Sequence, residues 1–215
     1  MIYVMSDIHG RYDKFLKMID KINLKKTDEL YILGDVMDRG PQPLDILDYI
    51  RQHSNIHLLM GNHELLFLYS QDDELDKRLW YKNGGEITDN LINERGNSYR
   101  QELTQYIKKL PKIKVLDKFI LVHAGMYIPE NSNYTLEQIL DMQDEDILLW
   151  DRSFIENDKY LKDYTVICGH TNVQDYIDDT RILRKKGKVL IDCGCNRAGG
   201  KLACLRLDDM KEFLV

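Results

Sequence analysis

No stretch of this sequence approaches the ~18 consecutive apolar residues of a membrane-spanning helix, so no membrane association is expected. The N-terminus has no basic segment followed by a long apolar run; it enters a strand-like stretch directly. No secretory leader is expected, and a cytoplasmic location is the default. Cysteine is scarce, with four residues in 215: Cys168, Cys193, Cys195 and Cys204. Only Cys193-Gly194-Cys195 is a close pair, and a structural zinc site needs two. The four are read as reduced, partly buried thiols. Basic residues are outnumbered, 30 Lys and Arg against 36 Asp and Glu, for a net charge of −6. General nucleic-acid binding is therefore not expected, although a local basic pocket is compatible with that balance. No internal repeat, low-complexity tract or linker is present. The length suits one α/β domain over 1–215 rather than two.

Apolar patterning predicts strands at Met1–Met5, Glu29–Leu33 and Ile56–Met60. Between them, Phe15, Met18, Ile19 and Ile22 are spaced as in a helix. Pro41 and Pro43 start a second helix whose buried face includes Leu44, Leu47 and Ile50. Strands alternating with helices imply a parallel sheet with helical cover. From about Ser70 to Leu110 the chain is charged and helically spaced, broken at Asn83-Gly84-Gly85 and Gly96-Asn97. This reads as a helical excursion at one end of the sheet. Lys112–Val115 and Phe119–Val122 flank Asp117-Lys118 as a β-hairpin, and Glu137–Leu140 is a short helix. Val166–Cys168, Val189–Ile191 and Leu202–Leu207 are late strands, from which a second sheet is expected.

Five short runs carry the chemistry: Ser6-Asp7-Ile8-His9-Gly10, Gly34-Asp35-Val36-Met37-Asp38-Arg39-Gly40, Gly61-Asn62-His63-Glu64, His123-Ala124-Gly125 and Gly169-His170-Thr171. Each of the first four closely follows a strand-like run. Ligands gather at the carboxyl ends of strands in parallel α/β sheets, so these motifs can converge in space. Carboxylate, imidazole and amide donors suit manganese, iron or zinc. Asp7 and His9 alternate on a segment read as extended and can face one ion. Asp35 is placed to bridge two ions, and Asn62, His123 and His170 can complete the second. Two ions about 3.5–4 Å apart can hold a hydroxide for in-line attack and clamp a phosphoryl group. His63 is the natural proton donor to a leaving alkoxide, with Asp38 to orient it. Arg39 can pair bidentately with phosphate oxygens, and Arg152 is a second candidate.

Each residue also has a plainer reading. Asp7 can cap the helix after it. Asp38-Arg39-Gly40-Pro41 can be a turn with a surface ion pair. His170 can be a core histidine, and Arg152 a surface charge. His53 and His57 lie outside the motifs and read as structural or solvated.

The combination of Gly34-Asp35-x-x-Asp38-Arg39-Gly40 with Gly61-Asn62-His63-Glu64 resembles the PPP-type metallophosphatases. This branch of the calcineurin-like superfamily contains Ser/Thr phosphoprotein phosphatases and symmetrical diadenosine tetraphosphatases. The chain is most similar to the compact bacterial and bacteriophage-lambda type, from Met1 to about Leu207. Asn83-Gly84-Gly85, Leu149-Trp150-x-Arg152 and Ile191-Asp192-x-Gly194 also match the bacterial branch. The resemblance implies an α/β (α+β sandwich) fold with two mixed β-sheets flanked by helices. It implies Asp7, His9 and Asp35 on one metal, and Asp35, Asn62, His123 and His170 on the other. His63 and Asp38 would be the acid pair, and Arg39, Asn62 and Arg152 would meet the substrate. Three departures stand out: Ser6 where Gly is usual, Met60 where Arg is usual, and Ala124 where eukaryotic members have Gly. None removes a ligand.

The leading expectation is a phosphomonoester hydrolase acting on phosphoproteins, with two divalent ions, manganese first among them. The alternative is hydrolysis of dinucleoside polyphosphates or capped RNA ends, and a remote one is an inactive binding module. A phosphoprotein or a phosphorylated small molecule is the expected partner, and no feature fixes an oligomeric state. Arg78, Lys82, Arg95 and Arg100 in the excursion suggest a helical wall or lid beside the pocket; the alternative is a solvated face.

Overall fold

The computed structural model describes residues 1–130 and 133–215. The chain runs β1 (Ile2–Met5), α1 (Tyr12–Ile22), β2 (Glu29–Ile32), α2 (Pro43–Gln52), β3 (Ile56–Leu58), α3 (Asn62–Tyr69). The excursion follows as α4 (Glu74–Lys82), α5 (Glu86–Arg95) and α6 (Asn97–Ile107). Then come β4 (Ile113–Leu116), β5 (Phe119–Val122), α7 (Leu136–Asp141), α8 (Glu145–Trp150) and β6 (Thr165–Cys168). A short 3-10 turn at Val173–Asp175 leads to β7 (Leu183–Lys185), β8 (Lys188–Leu190), β9 (Ala203–Arg206) and β10 (Lys211–Leu214).

Local chemistry accounts for the helix limits. In α1, Phe15, Met18 and Ile22 form the buried stripe, and Asn23 ends the helix in the left-handed region at φ 51°. Pro43 opens α2, where a missing N–H costs nothing, and Leu44, Leu47 and Ile50 are buried as the spacing predicts. The Asp73 carboxylate accepts the Leu75 and Asp76 amides at the start of α4, and Thr135 with Gln138 forms a capping box on α7.

Two mixed five-stranded sheets result, flanked by helices, as expected. The first has the order β10-β9-β1-β2-β3, with β1, β2 and β3 parallel. The second has the order β4-β5-β6-β8-β7, with β5, β6 and β8 parallel. Central residues such as Val4, Met5, Ile32, Leu121 and Ile167 are wholly buried, as in sheets covered on both faces.

The second sheet is assembled differently from the expectation. The strand predicted at Leu202–Leu207 joins the first sheet, where Leu205 pairs antiparallel with Val4. The β4–β5 hairpin supplies two strands of the second sheet instead. Two strands escape the sequence pattern, β7 and β10. Both are edges, and their exposed Arg184, Lys185 and Lys211 are what an edge needs against further pairing. Helix α8 was also not predicted; it is only six residues long. The four cysteines are free and buried.

All five motifs lie just past carboxyl ends of strands, three in the first sheet and two in the second. The sheets touch there. His123, after β5, donates Nδ1–H to the Leu33 carbonyl beyond β2 at 2.6 Å. Gly169, after β6, sits where any β-carbon would collide with the side chains of Ser6 and Asp7.

The excursion is locked by a buried carboxylate on α5. Asp89 accepts the Tyr81 hydroxyl and the Arg100 guanidinium, both at 2.5 Å, with Lys77 at 3.3 Å. Burial alone would raise its pKa, but these partners outweigh burial and hold it below the usual carboxylate value. A depressed folded pKa stabilises the fold above the unfolded value of about 3.9, and that gain is lost as pH falls through the folded value. Asp89→Asn should therefore cost roughly 1–3 kcal/mol at pH 7, towards the lower end because Arg100 and Lys77 are part-exposed. Urea melts of both proteins at pH 7 and pH 3 should show the gap narrowing in acid; a gap independent of pH would rule out the ionic contribution.

Candidate dinuclear metal centre

Six of the predicted site residues have left-handed backbone: Asp7 (φ 51°), His9 (47°), Asp35 (54°), Asp38 (67°), Arg39 (64°) and His170 (67°). Residues with a β-carbon rarely adopt it, and clusters of such strain mark sites where the surroundings dictate the backbone. This corrects the extended segment expected for Asp7–His9. The chain leaves β1 and turns, because the amides of Asp7, His9 and Gly10 bind the carbonyls of Gly34, Asp35 and Val36 at 3.3, 2.9 and 2.9 Å. Two loops are thus zipped together, and both predicted residues still face one cleft.

Asp35 is buried at the centre of that cleft. Its Oδ2 lies 3.6 Å from His9 Nε2 and 3.9 Å from His63 Nε2. Its Oδ1 lies 3.5 Å from His123 Nε2 and accepts the His63 amide at 3.0 Å. Two groups of potential ligand atoms share this carboxylate: His9, Asp35 and His63, and Asp35, His123 and His170, each within 4.8 Å. Burial opposes the Asp35 charge, but His123, His63, His9 and His170 overcome it and hold the pKa well below normal.

The donor chemistry fits cations. His9 Nδ1–H donates to the Met37 carbonyl at 3.0 Å and His123 Nδ1–H to Leu33, so each ring turns its Nε2 into the cleft. His123 Nε2 and Asn62 Oδ1 approach to 2.8 Å, and His170 Nδ1 lies 2.8 Å from the same oxygen. Among the described residues, His170 Nε2 is buried without a hydrogen-bond partner. Burial and the neighbouring His123 bring the pKa of His170 down to about 3, so it offers a neutral ring. Imidazole nitrogens and amide and carboxylate oxygens converging in a buried space are a donor set that suits a divalent ion.

Asp7 lines the cleft but stands outside both compact groups. Its Oδ2 accepts the Ser6 hydroxyl and, at 3.0 Å, the His170 amide. His63 takes the third place beside His9 and Asp35, while its Nδ1 lies 2.6 Å from Asp38 Oδ2. Arg39 spans this end of the site, with guanidinium nitrogens 3.0 Å from His9 Nε2 and 2.8 Å from His63 Nε2. Arg152 also lines the cleft, near enough to His170 for its charge to help lower the His170 pKa. The cleft holds about 160 Å³, and Asn172, Asp192, Asn196 and Arg197 complete its wall. A larger cavity of about 610 Å³, lined by Ile128, Tyr134, Tyr160 and Tyr164, contains none of the predicted residues.

The expected helical wall is not built from its basic residues. Arg95 pairs with Asp48 and Arg100 with Asp89. Arg78 and Lys82 are exposed, and none of the four lines the cleft.

Glu64 is the residue whose role went unread, although it stands within a quoted motif. It is fully buried. Its Oε2 accepts the Asp35 and Gly61 amides at 2.8 and 3.0 Å, and its Oε1 the Val36 and Met37 amides at 3.0 and 3.4 Å. Burial, followed by the charge on Asp35, raises its pKa to about 7. One side chain therefore holds the whole loop that carries Asp35. Its place as the third residue of a helix, where Glu reaches back to backbone amides, was the available signal.

The model of the calcineurin-like phosphoesterase family matches residues 1–196. A symmetrical bis(5'-nucleosyl)-tetraphosphatase of Wigglesworthia glossinidia brevipalpis is 33% identical over 130 residues, 58% of this chain and 44% of that protein. The chain thus covers less than half the length of that relative. Serine/threonine-protein phosphatase 2 of Salmonella typhimurium (strain LT2) is 31% identical over 156 residues, 70% of this chain and 67% of that one. The crystal structure of a provisionally assigned diadenosine tetraphosphatase superposes with a TM-score of 0.67 at 16% identity, covering 100% of this chain and 92% of the other, a likeness of fold.

Glu64→Gln would place an NH2 group against backbone amides. Metal affinity or turnover should fall roughly 10–100-fold, as for other outer partners of metal sites. Elemental analysis with circular dichroism checks this; a folded variant with unchanged metal content and turnover would remove Glu64 from the site.

Proposed function

The chain belongs to the calcineurin-like phosphoesterase family, and from that premise we propose that it hydrolyses dinucleoside polyphosphates at the Asp35 centre. One observation carries this reading. Arg39 and Arg152 line a single narrow, largely polar cleft with Asp35, and Arg197, paired with Asp175, stands on the same wall. A polyphosphate chain presents charge on successive phosphates, and guanidinium groups spread along a cleft match it. The tetraphosphatase relatives point the same way.

In this reading Asp7, His9 and Asp35 would hold one ion, and Asp35, Asn62, His123 and His170 the other. Manganese is most in keeping with the oxygen and nitrogen donors, ahead of iron or zinc. The ions, when bound, supply Lewis acidity and an activated water. The chain's own residues do the rest. Arg39, beside His9 and His63, and Arg152, near His170, grip phosphate oxygens. In the present geometry Arg39 donates to His63 Nε2, so that nitrogen carries its lone pair and Nδ1–H points to Asp38. Once a phosphate draws Arg39 away, Asp35 and Asp38 dominate the surroundings of His63. Burial opposes a proton there, but these two carboxylates already outweigh both burial and the Arg39 charge and raise the His63 pKa. His63 is then an acid whose Nε2–H faces the leaving oxygen.

That acid favours a second reading, phosphoprotein dephosphorylation. A serine or threonine alkoxide must be protonated as it leaves, whereas a nucleoside diphosphate needs little help. The overlap with serine/threonine-protein phosphatase 2, two thirds of each chain, is consistent with it.

With manganese present, diadenosine tetraphosphate should be cleaved with a higher kcat/KM than a phosphoserine peptide, and chelation should abolish both activities. Faster peptide turnover would reverse the order of the two readings, and full activity in a stringently metal-free preparation would reject the metal assignment.

The shared carboxylate makes a separate prediction. Asp35→Asn should lower bound metal more than Asp7→Asn, because it touches both groups of ligands. Metal counts in the reverse order would exclude Asp35 as the bridge.

A further inference from the structure

Asp38 is wholly buried and sits behind His63, out of reach of any substrate. Its value to an acid at His63 depends on what holds its carboxylate in place. Three side chains meet it. Oδ2 accepts His63 Nδ1–H at 2.6 Å and the indole Nε1–H of Trp80 at 2.8 Å. Oδ1 accepts the Thr88 hydroxyl at 2.7 Å, and the same hydroxyl oxygen accepts the Asp38 amide at 3.1 Å. Thr88 therefore grips both the side chain and the backbone of a residue that stands at φ 67°. Trp80 and Thr88 are themselves fully buried. They lie on α4 and α5, in the excursion rather than in any motif of the metal centre.

The turn between these helices makes the grip possible. At Gly85 any β-carbon would collide with the Trp80 indole. Gly84, at φ 98°, presents its carbonyl to the Arg39 amide at 3.1 Å. Asn83-Gly84-Gly85 thus lets Trp80, Thr88 and the Asp38-Arg39 backbone pack into one contact.

We propose that Trp80 and Thr88 are positioning residues for the Asp38–His63 pair, so that the helical excursion acts on leaving-group protonation rather than on substrate selection. Without them Asp38 keeps, among the described residues, only His63 as a side-chain partner, and its carboxylate is free to rotate or to take up water. His63 Nε2 then loses its fixed direction towards the leaving oxygen. Positioned groups lose catalytic value steeply with small misplacement. The proposal rests on the reading of His63 as the general acid, and the test separates the two.

The measurement is kcat and KM for a series of substituted phenyl phosphates with the manganese-loaded enzyme. The leaving groups run from phenol, pKa about 10 as for a tyrosine side chain, to the much more acidic p-nitrophenol. His63→Asn is the reference and should steepen the dependence of kcat on leaving-group pKa. Trp80→Phe and Thr88→Val should steepen it in the same sense. Each should lose roughly 10–100-fold on phenyl phosphate, the usual effect of an outer partner, with little change on p-nitrophenyl phosphate and with KM preserved. Thr88→Ser keeps the hydroxyl and should restore the shallow dependence. It also serves if the valine variant proves too unstable to assay, since Trp80→Phe and Thr88→Ser then give opposite expectations. Equal losses on every substrate, or no loss, in the Trp80 and Thr88 variants would overturn the proposal while leaving His63 as the acid. An unsteepened His63→Asn would overturn the acid reading and the proposal with it.

Discussion

Asp35 is a carboxylate held out of water among four imidazoles, and most of the structure serves that placement. A buried charge of this kind is tolerated only when paired and hydrogen-bonded on every side. Here the pairing comes from both sheets. His9 and His63 approach Oδ2 from the first sheet, and His123 approaches Oδ1 from the second. The sheets can meet so closely because Gly169 leaves room against Ser6 and Asp7, and because His123 reaches the Leu33 carbonyl. The site is therefore the seam between two sheets, and its geometry depends on their registration.

The same constraint explains the strained backbone. Asp7, His9, Asp35, Asp38, Arg39 and His170 all occupy the left-handed region, and each costs something that the surroundings must offset. Glu64 supplies much of the offset on one side by collecting four amides of the Gly61 and Asp35–Met37 segments. The zipper of amides from Asp7, His9 and Gly10 onto Gly34–Val36 supplies it on another. Ligand direction is thus set mainly by backbone hydrogen bonds, which a side-chain inventory does not reveal.

The helical excursion extends this logic outward. Its basic side chains serve α2 and α5 or face solvent, while its buried Trp80 and Thr88 reach Asp38. A segment that reads as substrate wall from its charges contacts the chemistry through its apolar side. Asp89, with Tyr81, Arg100 and Lys77, fixes the three helices relative to one another.

Much of this was legible in the chain itself. Strand-end position and residue type identify Asp7, His9, Asp35, Asn62, His123 and His170 as one candidate set, because parallel sheets bring such ends together. Apolar spacing located β1, β2, β3 and the helices between them, because burial on both faces leaves uninterrupted apolar runs. The short, charged edge strands β7 and β10 were not legible, since an edge has no apolar alternation to display. Nor was the sheet membership of β9, which follows from pairing of Leu205 with Val4 across two hundred residues. The tertiary structure alone decided that Asp7 and His9 turn rather than extend, that Glu64 holds the Asp35 loop, and that Trp80 and Thr88 close around Asp38. Each of these is a contact between distant segments; apart from the helix-start position of Glu64, which shows that it can reach back to backbone amides but not which ones, such a contact has no signature in the spacing of either partner.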